Sequence, residues 1–329
     1  MTSKERIWAS LNNGPCDRVP VVVNTRTAGV RLRGYALSEA FRDPEVYVES
    51  QLWLQNEVGY DAVFGQVIDP VACVAGSQYK MPEDIHPTIA HYALADTGNI
   101  GTLPSLDPSN SQWHDYLSKI VAALHASSKV PVVGIFRLPF MTASDIVEPE
   151  SLLKSFYRQP TGVLKLMDML VEPSLKWARS LLDAGADLLW TPLATVSLMS
   201  RAHYQKYVHP YHLRVLRELR DAGATVIVHL CGEWGDKFDI VAEEDASVWH
   251  VDNADLGELR RSFPQIALMG KVHAVNTLFM STPERVFDEA QENIRAVGRT
   301  GLLLSGNCGL APATPLENLR ALVEASRQT

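Results

Sequence analysis

The sequence has little cysteine: Cys16, Cys73, Cys231 and Cys308 are the only four in 329 residues. That is too few for a disulfide scaffold, and it leaves thiols free to act as nucleophiles or metal ligands. No apolar run approaches the roughly 18 residues that a membrane span needs. The opening Met1-Thr-Ser-Lys-Glu-Arg is polar and lacks the apolar stretch of a secretory signal, so a cytoplasmic location without membrane attachment is expected. Positive charge is short: 30 Lys and Arg stand against 38 Asp and Glu, a formal net charge of −8. Nucleic-acid binding wants a basic face, so nucleic acid is not an expected partner. A local basic pocket for an anionic small molecule stays compatible with that balance. Charged residues make up 21% and hydrophobic residues 46%, which puts a large core within reach and argues against bulk disorder.

What is present is an alternation of apolar strands and amphipathic helices. The strands are expected at Val19–Val23, Asp61–Gly65, Val130–Ile135, Gly185–Trp190, Thr225–Leu230, Ala246–Val251, Ile266–Val272 and Gly301–Ser305. Thr2 and Glu5 form a capping box that opens a short helix ending at Asn12-Asn13-Gly14-Pro15. Helices are expected over 43–58, 111–127 and 283–297. A helical stretch over 150–184 should break near Pro160 and Pro173. Ser200 is placed to cap a helix running to Asp221, with Gly223 as its stop. Thr314-Pro315-Leu316-Glu317 has the form of a capping box with proline at the first helical position. Between residues 70 and 129 the pattern loosens, with Pro82, Pro87, Pro104 and Pro108 among polar residues. Eight strands alternating with helices predict an α/β fold, a (β/α)8 TIM barrel of one domain over 1–329, with an insertion between strands 2 and 3.

In such a barrel the site lies at the C-terminal ends of the strands. Arg26, Asp69, Arg137, His229, Cys231, Asp252, His273 and Cys308 all fall there. His229 and Cys231 are two apart at the end of strand five, so an extended backbone points both to one face. Cys308 follows strand eight, and two strand ends can bring three N/S ligands together. Two cysteines and a histidine suit Zn²⁺ with one coordination position left open. Asp252, 21 residues after Cys231, is a candidate fourth ligand or an acceptor that orients His229. Glu233 and His273 are weaker candidates, Asp187 reads as a turn residue, and Cys16 and Cys73 read as structural. Arg26, Arg31 and Arg33 lie within eight residues after strand one, an anion-receiving pattern.

The motifs resemble the uroporphyrinogen decarboxylase superfamily over nearly the whole chain. Gly306-Asn-Cys-Gly-Leu-Ala-Pro-Ala-Thr-Pro-Leu-Glu-Asn318 is similar to its closing signature. Arg26-Thr-Ala-Gly-Val-Arg-Leu-Arg-Gly-Tyr35 is similar to the decarboxylases' N-terminal loop, which holds substrate carboxylates. Asp17-Arg-Val-Pro20 and Phe136-Arg-Leu-Pro-Phe-Met-Thr142 also look familial. Decarboxylases carry histidine between two glycines where this chain has Cys308, and lack His-x-Cys after strand five. The zinc-dependent methyltransferases that work with corrinoid proteins, such as methylcobamide:coenzyme M methyltransferases, carry both features. His229, Cys231 and Cys308 therefore resemble that branch.

The resemblance implies a zinc-dependent methyltransferase that moves a methyl group between a corrinoid (methylcobalamin on a separate corrinoid protein) and a small acceptor, most simply a thiol. A free thiol has a pKa of about 8.5 and is mostly protonated at neutral pH, so zinc activation as a thiolate makes chemical sense. Arg26, Asp69, Arg137, Asp145 and Asp252 are the expected substrate contacts. The alternative is a metal-free, uroporphyrinogen decarboxylase-like lyase acting on a carboxylated substrate, with Asp69 matching the acidic residue those enzymes need. Asp145 and Val30 depart from the decarboxylase pattern, where a tyrosine and a second arginine would stand.

Overall fold

The computed structural model describes residues 1–328. Its strands, in chain order, are β1 (Val63–Phe64), β2 (Gln78–Lys80), β3 (Thr88–His91), β4 (Val132–Ile135), β5 (Leu188–Pro192), β6 (Val226–Glu233), β7 (Val248–Asn253), β8 (Ala267–Val272) and β9 (Leu302–Gly306). Seven run parallel in one curled sheet in the order β1-β4-β5-β6-β7-β8-β9. Runs such as Val226-Ile-Val and Leu302-Leu-Leu are apolar throughout because both faces of a parallel sheet are buried. Phe64, Ile135, Trp190, Ile227, Met269 and Leu303 fill the inside, while a larger apolar shell joins the sheet to its helices.

The first expected strand forms no ladder. Val21 makes a single bridge to Leu304, and Pro20 has no N–H to extend it. The segment still fills the first position of the barrel, between β9 and the start of β1. Val22 N–H donates to Leu304 O at 3.0 Å, Leu304 N–H to Pro20 O at 2.8 Å, and Asp61 N–H to Val21 O at 2.7 Å. Asp61 pins it there: its buried carboxylate accepts from Ser3 Oγ, Arg6, Arg18 and the Val21 N–H at 2.6–2.8 Å. Capping by Thr2 and Glu5 is as expected.

The loosened stretch is an insertion between the second and third barrel positions. It holds a short helix, Pro70–Ala75, capped by Asp69, and an antiparallel hairpin of β2 and β3. Two expectations about helices change and a third is qualified. Pro173 does not break its helix, which runs unbroken over Pro160–Asp183. A proline costs about 3 kcal/mol there, and Leu166, Leu170, Leu175 and Trp177 bury a continuous face that offsets it. Ser200 caps the next helix and it runs to Asp221 as expected, but it widens at Tyr204–Val208, because Pro210 cannot donate to the ladder. The last helix starts at Leu316; Thr314 is buried and spends its hydroxyl on Ala311 O. Among the described residues no helix is long and apolar enough to cross a membrane.

Candidate metal centre

β6 runs three residues past the expected strand end and carries His229 and Cys231 on alternate positions facing inward, in line with Ile227. β9 ends at Gly306, and Cys308 follows two residues later. The side-chain donor atoms of His229, Cys231 and Cys308 all lie within 4.8 Å of one another. His229 is buried, and both cysteines are half-buried. Its Nδ1 contacts the His250 carbonyl at 3.3 Å, so Nδ1 carries the proton. Nε2 is then a bare lone pair, buried and without a hydrogen-bond partner. An orphaned imidazole nitrogen beside two sulfurs fits a thiophilic divalent ion such as Zn²⁺.

The two sulfurs share a proton unequally. Hydrogen bonding from Cys231 holds the Cys308 thiol far below its ordinary range, helped by the Arg26 guanidinium. The same bond pushes Cys231 far above its own. Arg26 Nη2 stands 4.0 Å from Cys308 Sγ. Its backbone has a left-handed φ of 46°, secured by Gln51, whose Nε2 donates to Arg26 O at 2.7 Å while its Oε1 accepts from Thr25. The guanidinium lies across Gly309, where any Cβ would meet Arg26 Nε at 2.0 Å. That close approach accounts for glycine after the cysteine.

Asp252 lies outside the three-residue group. Its Oδ2 accepts from the Gly232 N–H at 2.8 Å and its Oδ1 from Asn307 Nδ2 at 2.6 Å. It thus ties the loop after Cys231 to the loop before Cys308. The Asn307 Oδ1 in turn accepts from Ala274 N–H at 2.7 Å. His229 is oriented by the His250 carbonyl instead of by Asp252.

The sequence pattern alone does not single out His250. It is fully buried, pairs in register with His229, and its ring centroid lies 4.3 Å from the His229 ring. Its Nε2 donates to Gly306 O at 2.9 Å, and its Nδ1 accepts from Trp190 Nε1 at 3.2 Å. Burial lowers it to about 3, so it is neutral. The signal was the two-residue spacing Val248, His250, Asp252, which puts all three on one face. Trp234 was also missed; its Nε1 donates to the Cys231 carbonyl at 3.0 Å.

Asp69, Arg137 and Asp145 form a second cluster. Arg137 Nε is 2.7 Å from Asp145 Oδ2 and 3.9 Å from Asp69 Oδ2. Tyr79 of the inserted hairpin donates to Asp145 at 2.8 Å, and Thr142 to Asp69 at 2.7 Å. Burial raises Asp69 to about 6, against the pull of Arg137. Of the other loop arginines, Arg33 pairs with Glu49 at the surface and Arg31 is exposed. His273 caps the turn Ala274–Phe279 through Nδ1, and Glu233 accepts from Asn253. Asp187 is engaged with Lys4 and the Val132 N–H.

The family model described as uroporphyrinogen decarboxylase (URO-D) matches residues 2–329. Methylcobamide:CoM methyltransferase MtbA of Methanosarcina mazei is 25% identical over 349 residues, covering 99% of this chain and 98% of that protein. Uroporphyrinogen decarboxylase of Thermus thermophilus is 27% identical over 303 residues, covering 88% and 86%. A solved structure described as a methyltransferase from Methanosarcina mazei matches with a TM-score of 0.90 at 22% identity, over 99% of this chain and 98% of that one. That likeness establishes the shared barrel fold.

Proposed function

This chain belongs to the uroporphyrinogen decarboxylase family, and within it we propose a zinc-dependent methyltransferase that moves a methyl group between a corrinoid on a separate protein and a small thiol. The observation that carries this reading is the trio His229, Cys231 and Cys308 with its bare, buried Nε2. Methylcobamide:CoM methyltransferases among the relatives support it.

His229, Cys231 and Cys308 would hold the ion. Zn²⁺, when bound, supplies the Lewis acidity that keeps an acceptor thiol ionised and nucleophilic at neutral pH. The chain's own residues do the rest. The His250 carbonyl keeps the Nδ1 proton in place, so Nε2 stays a ligand. Asp252 holds the two ligand loops at a fixed separation. Arg26 sets a positive charge beside Cys308, which offsets charge on the sulfurs. Asp69, Arg137 and Asp145 are assigned to substrate contact. The corrinoid protein would dock over the C-terminal ends of the strands, in the cytoplasm.

The test is metal content and methyl transfer together. About one zinc per chain in the wild type, lost in Cys308→Ser, with thiol-dependent demethylation of methylcobalamin, is the expected result. No zinc after reconstitution under reducing conditions would overturn it. A metal-free decarboxylase is the second reading, favoured by Asp69 at about 6 beside Arg137. Release of CO₂ from a carboxylated tetrapyrrole by zinc-free protein would select it.

A further inference from the structure

A small cavity of about 270 Å³ opens beside the three-ligand group. Its walls include Gly232, Asp252, Lys271, His273, Glu289 and Asn307. Gly232 and Asn307 each adjoin a cysteine of the trio in the chain, so the cavity starts where the metal ligands end. Its volume is below the ~300–1,000 Å³ of sites for drug-sized ligands. A tetrapyrrole or corrinoid is excluded from it, and a small acceptor fits.

The polar groups on its walls divide by charge. Lys271 makes no hydrogen bond or ion pair with any described residue, and it is only partly exposed. His273 uses Nδ1 to accept from the Asn276 N–H. In the neutral ring the proton then sits on Nε2, which is left as a donor. The two carboxylates are partly engaged. Asp252 accepts from Gly232 N–H and Asn307. Glu289 accepts from the His273 N–H at 2.8 Å and from Thr277 Oγ1 at 2.6 Å. A carboxylate oxygen has two lone pairs, so each Glu289 oxygen keeps one acceptor site free, and Asp252, which also meets the Cys231 thiol, keeps at least one. The walls therefore offer one unpaired cation with a neighbouring N–H donor, and two carboxylates with spare acceptor sites. Lys271 at +1 and Asp252 and Glu289 at −1 each leave a net −1.

A mercapto acid that is anionic at its tail meets that net negative wall. A ligand carrying both a carboxylate and an ammonium meets a partner for each and adds no net charge. We propose that this cavity is the tail subsite of the acceptor, and that the acceptor is a zwitterionic amino-acid thiol, its carboxylate on Lys271 and His273 and its ammonium on Glu289 and Asp252. The proposal rests on the metal-centre reading given above, because the sulfur must reach the trio while the tail lies in the cavity. It moves the anion-recognising role from the arginines after the first strand to Lys271.

Protein loaded with Co²⁺ in place of spectroscopically silent zinc separates the two ideas. Sulfur binding to the metal is read from the thiolate-to-cobalt charge-transfer absorption. The probes are L-homocysteine, 4-mercaptobutanoate (no ammonium), 3-mercaptopropylamine (no carboxylate) and 2-mercaptoethanesulfonate (anionic tail only). The expected result is that L-homocysteine binds the wild type at least tenfold tighter than the other three. Lys271→Met should bring L-homocysteine down to the level of 3-mercaptopropylamine and leave the latter unchanged, while Lys271→Arg retains the preference. Equal affinities for all thiols, or a preference for the sulfonate, would overturn the subsite and leave the metal reading intact. No new absorption with any thiol would overturn the metal reading itself. The ligand series on the wild type needs no variant to fold.

Discussion

Removing the Asp252 carboxylate should loosen metal binding while leaving His229, Cys231 and Cys308 in the chain. The residue spans two loops: one oxygen takes the Gly232 N–H at 2.8 Å and the other takes Asn307 Nδ2 at 2.6 Å. Each is a charge-assisted hydrogen bond, worth about 1.5–3 kcal/mol. Asp252→Ala removes both and frees Cys231 and Cys308 to drift apart. Asp252→Asn keeps one acceptor oxygen but turns an NH₂ toward a donor, so one bond is lost and one contact becomes repulsive. Losing a group that orients metal ligands weakens metal affinity by about 10–100-fold, or roughly 1.4–2.8 kcal/mol. That matches one such bond and is less than two, because the loops relax. Competition for zinc against a chromophoric chelator under reducing conditions measures it. Both variants should fall in that range, with Ala at its weaker end. Affinities within twofold of wild type for both would refute the idea that this clamp fixes the cysteine separation.

Burial holds Asp69 at about 6 against 3.8 for an ordinary aspartate, so the folded chain keeps a proton that the unfolded chain has already released. Stability from this group is present below about pH 4 and lost as pH rises through 6, by about 3 kcal/mol in all; thermal melts between pH 4 and 7 should show a flatter pH dependence in Asp69→Asn. Asp61→Asn leaves Arg6 and Arg18 without their shared buried carboxylate, and urea unfolding should report a loss of about 3–5 kcal/mol. Arg26→Ala should slow iodoacetamide alkylation of Cys308 in zinc-free protein several-fold by mass spectrometry, because the cation beside the sulfur is gone. Arg33→Ala, which breaks only an exposed pair with Glu49, should leave that rate unchanged.

The barrel was legible because its strands are short apolar runs with polar residues at their C-terminal ends, and the helices between them keep their period. Val19–Val23 has the apolar pattern of a strand and occupies a strand's position, but Pro20 leaves it a single bridge. Pro173 and Thr314 misled for the same reason: local proline and capping signals were overruled by a buried helix face and by a hydroxyl used elsewhere. His229 and Cys231 were legible because alternate residues share a face, and Cys308 because it follows a strand. The same alternation points to His250, but a buried histidine inside an apolar run looks like core. The partners of the loop arginines could not be read at all. Glu49 lies on the next helix, and the thiol beside Arg26 is 282 residues away.

The hydrogen bonds between Pro20–Val22 and Leu304 join segments that lie far apart in sequence. During translation residues 20–22 leave the ribosome long before their partner Leu304, which waits for all of the intervening chain. Until then the opening in the cylinder exposes both Val21 and the far edge of the growing sheet. Chains that pair late over such long separations fold slowly, and an unpaired strand edge recruits other chains. The Arg6–Asp61–Arg18 cluster needs no residue beyond Asp61. It can therefore assemble early and hold the nascent segment in position until residue 304 arrives.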